Sequence, residues 1–254
     1  MTVILRCPPL AGLEGSPFPR AREVAASRVR LVTSLALAVM PGLDLGIHVG
    51  HPTLAIASAR TTIPEELLHP VLASYSKEDA ERLRNFVPSD EEFAALKQAI
   101  HEALLVFEPI PGACVLLTAA LQFRLEGLTN APSYIVAGNL AVGDKLVFGT
   151  SDATMNAATF SQINLSWDGH CWLQFGKYIV DISLCRTALS NESPPLLAAH
   201  LRPKLGGKSK AILATYQAMT EDGLVYMPLR VLTRAEIDPL VNGALKVLGL
   251  SQQT

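Results

Sequence analysis

The segment EPIPGACVLLTAALQFRLEGL (residues 108–128) divides this chain into two parts of different texture. Its prolines and glycine stop any helix arriving from the N-terminal side, because proline lacks the N–H a helix needs and glycine favours turns. The apolar run behind them predicts one buried helix over 115–128, closed by Gly127. Upstream the apolar period is that of a helix. Downstream come short runs rich in β-branched and aromatic residues, separated by turn residues.

Residues 1–22, rich in proline and glycine, read as an irregular arm, and residues 23–107 as a helical region. Apolar residues recur at helical spacing from Glu23 to Met40 and stop at Pro41-Gly42. Pro64-Glu-Glu-Leu-Leu opens a second helix. Ser89-Asp-Glu-Glu92 forms a capping box, in which serine and glutamate satisfy each other's backbone N–H groups. Behind it Phe93, Leu96, Ile100, Leu104 and Phe107 make one apolar stripe. The stretch 45–60 carries no clear period.

Residues 108–254 read as one α+β module. Strands are expected over 133–138, 144–149, 162–167, 170–174 and 178–183, in antiparallel order behind the central helix. Residues 186–210, with Pro194-Pro195 and Gly206-Gly207, read as an insertion or a long surface connection. A helix near 208–220, a strand at 224–231 and a last helix behind the capping box Thr233-Arg-Ala-Glu236 complete the module.

Composition removes several classes of function. A net charge of −2 over 254 residues gives no basic face for nucleic acid or anionic membranes. The most membrane-like run, LVTSLALAVMPGL (31–43), is too short to cross a bilayer. The four cysteines, Cys7, Cys114, Cys171 and Cys185, include no Cys-x-x-Cys pair, which favours reduced thiols in a cytoplasm over a disulfide framework. Neither a metal nor a cofactor is expected. His48-x-x-His51 lacks the spacing and carboxylate of a helical metal site, and Gly206-Gly-Lys-Ser209 has Arg202 where a phosphate loop needs its first glycine.

One constellation remains. In GHCWLQFGKYIVDIS (169–183), a two-residue turn at Phe175-Gly176 sets His170 opposite Asp181, so the carboxylate fixes the imidazole tautomer. Strand alternation puts Trp172 on the face of His170, where it shields the ring or lines a substrate groove, and Cys171 on the opposite, core face. Cys114 begins the central helix, where the dipole and unpaired N–H groups favour a thiolate and can hold an oxyanion. Gln162 and Asn164, one strand before the hairpin, are candidate amide donors.

Cys114 at a helix start, followed by His170 and Asp181 on consecutive strands, resembles the papain-like superfamily in its transglutaminase-like branch. The phrases CVLLTAALQFRLEGLTNAPSYIVAGNL and HCWLQFGKYIVDIS carry the likeness. In layout it is also similar to the leader peptidases of lasso-peptide maturation and to the arylamine N-acetyltransferases. The resemblance spans 108–185 and implies a Cys-His-Asp enzyme, hydrolysing amide or peptide bonds or transferring acyl groups from an amide or thioester. Glu108 stands where papain-type peptidases carry a glutamine as oxyanion donor. That departure keeps open a silent relative that binds a peptide or protein partner in the same cleft.

Overall fold

The computed structural model describes residues 3–6, 63–107, 113–149, 168–206 and 210–247. Its strands are β1 (Val3–Arg6), β2 (Ser133–Val142), β3 (Lys145–Phe148), β4 (His170–Phe175), β5 (Tyr178–Asp181), β6 (Lys210–Thr215) and β7 (Leu224–Val231). All seven join one antiparallel sheet, six of them in the order β1-β6-β5-β4-β2-β3. β7 pairs with the opposite edge of β2. The helices are α1 (Glu65–Ser74), α2 (Lys77–Asn85), α3 (Asp90–Val106), α4 (Cys114–Glu126), α5 (Leu184–Leu189), α6 (Pro195–Leu205), α7 (Tyr216–Glu221) and α8 (Arg234–Val247).

Both faces of the sheet are covered. On one face Ile135, Ala137, Cys171, Leu173, Phe175 and Val180 pack against Leu117 and Leu121 of α4, Leu96 and Ile100 of α3, and Leu240 of α8. On the other face Val136, Leu140, Trp172, Ile179 and Ile212 pack against Leu67 of α1, Leu83 of α2, Leu184 of α5 and Leu201 of α6. Every residue of β4 is buried, which is why HCWLQF reads as a nearly continuous apolar run rather than an alternating one. The result is an α+β fold of helices packed on both faces of an antiparallel sheet.

Several local expectations meet their elements. The capping box at Ser89 has both its bonds, Ser89 N–H donating to Glu92 Oε2 at 2.8 Å and Glu92 N–H to Ser89 Oγ at 3.2 Å. α4 starts at Cys114 and ends against Gly127. Thr233 donates through both its N–H and its hydroxyl to Glu236 at the start of α8.

Three expectations are corrected. Residues 3–6, placed in an irregular arm, form β1 on β6. Within the stretch read as an insertion or a long surface connection, residues 195–205 are no surface connection, because α6 buries Leu197, Leu201 and Leu205 in the common core. The helix expected near 208–220 is instead β6 followed by the short α7, since AILAT is a short apolar run whose period separates strand from helix poorly. α1 to α3 are helices as expected, and Leu67, Leu83 and Leu96 carry them into the two cores the sheet builds. The expected helix at 23–40, the stretch 45–60 and the strand at 162–167 lie outside the described residues.

Candidate active site

Asp181 ends β5, and its carboxylate is saturated with donors. Oδ1 accepts from the Ser183 N–H at 2.9 Å, the Ser183 hydroxyl at 3.0 Å and the Leu184 N–H at 2.9 Å. These bonds follow from the Asp-Ile-Ser-Leu sequence, a local turn in which the side chain takes backbone donors at the start of α5. Oδ2 accepts from His170 Nε2 at 2.5 Å and from the Tyr226 hydroxyl at 2.9 Å. His170 and Asp181 are 2% and 1% exposed, so this ion pair is shielded from water.

The pairing differs in detail from the sequence reading. The hairpin turn is Gly176-Lys177 rather than Phe175-Gly176, with Phe175 opposite Tyr178 and Leu173 opposite Val180. Gly176 takes a φ of 55°, and a two-residue hairpin turn with a left-handed first position selects glycine there. The register moves by two. Because side chains alternate with a period of two, His170 and Asp181 stay on a common face and meet on the diagonal.

His170 is also held by rings. Phe148 of β3 stacks on it at 5.5 Å between centroids and 20° between planes, and Trp172 lies beyond at 6.3 Å and 26°. Tyr226 approaches at 6.0 Å. Gly138 of β2 pairs with His170 and makes the arrangement possible, since a Cβ there would press on the Met227 carbonyl and come within 2.7 Å of the Trp172 ring. Trp172 itself is fully buried, and its indole N–H donates to the Tyr216 hydroxyl at 3.1 Å. It supports the imidazole from inside the core and lines no open groove.

Cys114 is the first residue of α4 and is half-buried. Ala113, the residue capping the helix, offers no side-chain hydrogen bond to the first-turn N–H groups. Arg186 of α5 donates to the carbonyls of Leu104 and Phe107, both at 2.6 Å, and pins the end of α3 ahead of the Cys114 segment. The Cys114 thiol lies near enough to the thiol and backbone of Cys171 and to the His170 ring for each of them to favour its ionised form. Since Nε2 is committed to Asp181, the nitrogen left for the sulfur is Nδ1.

The electrostatics follow from these contacts. The Cys171 hydrogen bond, with the His170 bond and charge, outweighs burial and holds the Cys114 thiol well below its ordinary range. Burial works against a charged His170, but the charge and hydrogen bond of Asp181, joined by Cys114, raise its pKa to about 10. Burial likewise opposes an ionised Asp181, yet His170 and the N–H donors of Leu184 and Ser183 keep it below its ordinary value. The arrangement is a thiolate beside an imidazolium that is itself held by a carboxylate.

The structure brings together Cys114, His170 and Asp181 from α4, β4 and β5. Gln162, Asn164 and Glu108 lie outside the described residues. Sequence reasoning missed Tyr226 and Phe148, which come from β7 and β3 and carry no local signal. It also missed Ser183, for which the Asp-x-Ser turn pattern was a usable signal. Cys171 does point away from the His170 face, but that face is the one α4 covers, so it meets Cys114. Among the described residues no group of three or more His, Cys, Asp or Glu is arranged to hold a metal ion, and no helix is long and apolar enough to cross a membrane. No family model, no curated protein and no solved structure matches this chain.

Proposed function

We propose that this chain is a cysteine-dependent amide or peptide hydrolase, or an acyltransferase, built on a papain-like, transglutaminase-like core. One observation carries the reading: the buried 2.5 Å bond from His170 to Asp181 leaves the second ring nitrogen available to a thiol that opens a helix and acts electrostatically on the same ring. A nucleophile, a base within reach of it and a group orienting that base are the three parts nucleophilic acyl chemistry requires.

The Cys114 thiolate attacks the carbonyl carbon of an amide or thioester, forming a C–S bond while the carbonyl electrons move to oxygen. First-turn N–H groups of α4 face that oxyanion. With an amide, His170 gives its proton to the departing amine as the C–N bond breaks, leaving a thioester on Cys114. With a thioester, a thiol leaves in its place. His170 then takes a proton from water or an acceptor amine, which attacks the acyl carbon and releases the thiolate. Asp181 keeps Nε2 occupied, so Nδ1 is the nitrogen that exchanges protons with the reacting groups.

The test uses a 4-nitrophenyl ester and a peptide thioester as acyl donors, with intact-mass and peptide-mass analysis. The expected result is one acyl group on Cys114, absent in Cys114→Ala and at least roughly a thousandfold slower to form in His170→Ala. If acyl groups collect elsewhere or nowhere, a non-catalytic cleft that binds a peptide or protein partner replaces this reading.

A further inference from the structure

Cys171 forms and breaks no bond in the acyl chemistry above, yet it lies beside the nucleophile and favours its ionised form. α4 crosses β4 so that the Thr118 hydroxyl donates to the Cys171 carbonyl at 3.4 Å. Cys114 precedes Thr118 by four residues, so both lie on one stripe of the helix facing the strand. The Cys171 side chain is fully buried among Leu116, Leu117 and Ala119, and Cys114 packs against the same cluster from its partly exposed rim. The two thiols come together there, with residue Cys114 partly exposed at the rim and Cys171 fully buried beneath it.

We propose that Cys114 and Cys171 form a peroxide-reactive dithiol, in which Cys114 is oxidised by hydrogen peroxide or an alkyl hydroperoxide and Cys171 resolves it to a disulfide. The first step is attack of the Cys114 thiolate on the outer peroxide oxygen. The S–O bond forms, the O–O bond breaks, and the leaving alkoxide or hydroxide takes a proton from His170. Cys114 is now a sulfenic acid, oxidised by two electrons, and the peroxide is reduced to an alcohol or water. In the second step the Cys171 sulfur attacks the Cys114 sulfur; the S–O bond breaks, and the hydroxide leaves as water with the Cys171 proton. No further oxidant enters. A low-molecular-weight dithiol reverses the change by two exchange steps, itself becoming the disulfide.

The geometry favours this pairing over others. Cys185 lies on α5 and is buried in the core on the opposite face of the sheet, so no rotamer brings it to Cys114. The pair also protects the nucleophile, because a sulfenic acid with a resolving thiol beside it is diverted from irreversible sulfinic acid. A disulfide removes the thiolate, so the oxidised protein has no acyl chemistry until reduced. The inference rests on the activated Cys114 thiolate of the proposed function and not on acyl transfer itself.

The test treats the full chain with one equivalent of hydrogen peroxide, then maps thiols and disulfides by non-reducing digestion and mass spectrometry. The expected product is a Cys114–Cys171 linked peptide pair two hydrogens lighter than the free thiols, with two of the four thiols lost and both restored by dithiothreitol. In Cys171→Ser, Cys114 stops at a dimedone-trappable sulfenic acid or continues to sulfinic acid. Cys114 oxidised in the wild-type chain without a bond to Cys171, or bonded to Cys7 or Cys185, overturns the proposal. A parallel iodoacetamide arm separates the two readings: rapid alkylation of Cys114 without a Cys171 disulfide sinks this inference alone, whereas sluggish alkylation also removes the activated nucleophile.

Discussion

At the scale of single residues, the site is organised around the Asp181 carboxylate, not around the sulfur. Five donors converge on it, and only one of them is the histidine. Tyr226 shares Oδ2 with His170, so it tempers how strongly the carboxylate holds the imidazolium. Tyr226→Phe is therefore expected to move the His170 pKa upward, read by NMR titration of the ring. It should also cost about 1–3 kcal/mol of stability for the lost buried donor, read by denaturant unfolding. Ser183→Ala leaves the two backbone donors in place, so it should leave the His170 pKa closer to wild type than Tyr226→Phe does. A downward or absent shift in Tyr226→Phe contradicts the tempering role. Hydrogen–aromatic packing adds to this: the ring lies against Phe148, and the π face of an aromatic favours a cation.

At the scale of elements, the parts that were legible in the sequence are those fixed by neighbours along the chain. The serine–glutamate box at Ser89, the glycine stop at Gly127 and the start of α4 at Cys114 each depend on residues within one helical turn. Replacing Ser89 by Ala removes a cap and should cost about 1 kcal/mol, visible as a lower thermal midpoint with the acylation rate unchanged. What the sequence leaves open is decided by residues far away. β6 is an apolar strand because it lies between β5 and β1, and no property of AILAT says so. The hairpin turn moved by one position because a left-handed conformation falls on Gly176, and only the period-two rule kept His170 and Asp181 on one face. Gly176→Ala tests that turn: the added Cβ meets φ of 55° and a Phe86 ring atom at 2.7 Å, and the expected result is a loss of stability with a slower His170-dependent acylation. Unchanged stability and rate contradict that role. The Cys114–Cys171 contact was hidden for a simpler reason. Alternation told which face Cys171 takes, but not that α4 covers that face.

At the scale of the whole molecule, stability and reactivity share one proton balance. A raised His170 pKa stabilises the fold fully below its ordinary 6.5 and progressively less as pH climbs towards about 10. The lowered Cys114 pKa acts oppositely: its contribution is complete above the ordinary thiol value of 9.0 and shrinks as pH falls. Between those values the folded pair and the unfolded pair bind the same number of protons, so the two slopes cancel. Wild-type unfolding free energy should show no net slope from this pair between pH 6.5 and 9. In Cys114→Ala only the histidine slope remains, and stability should fall with rising pH from about 6.5, as followed by urea denaturation. Parallel pH profiles for the two proteins contradict the ion pair. The most direct measurement of the central claim is the rate of Cys114 alkylation by iodoacetamide against pH, in wild type and in His170→Gln. The expected wild-type rate is nearly independent of pH from 6.5 to 9, with His170→Gln at least about tenfold slower at neutrality and rising towards the ordinary thiol value of 9.0. A wild-type rate that climbs about tenfold per pH unit like a free thiol, and that His170→Gln leaves unchanged, contradicts it.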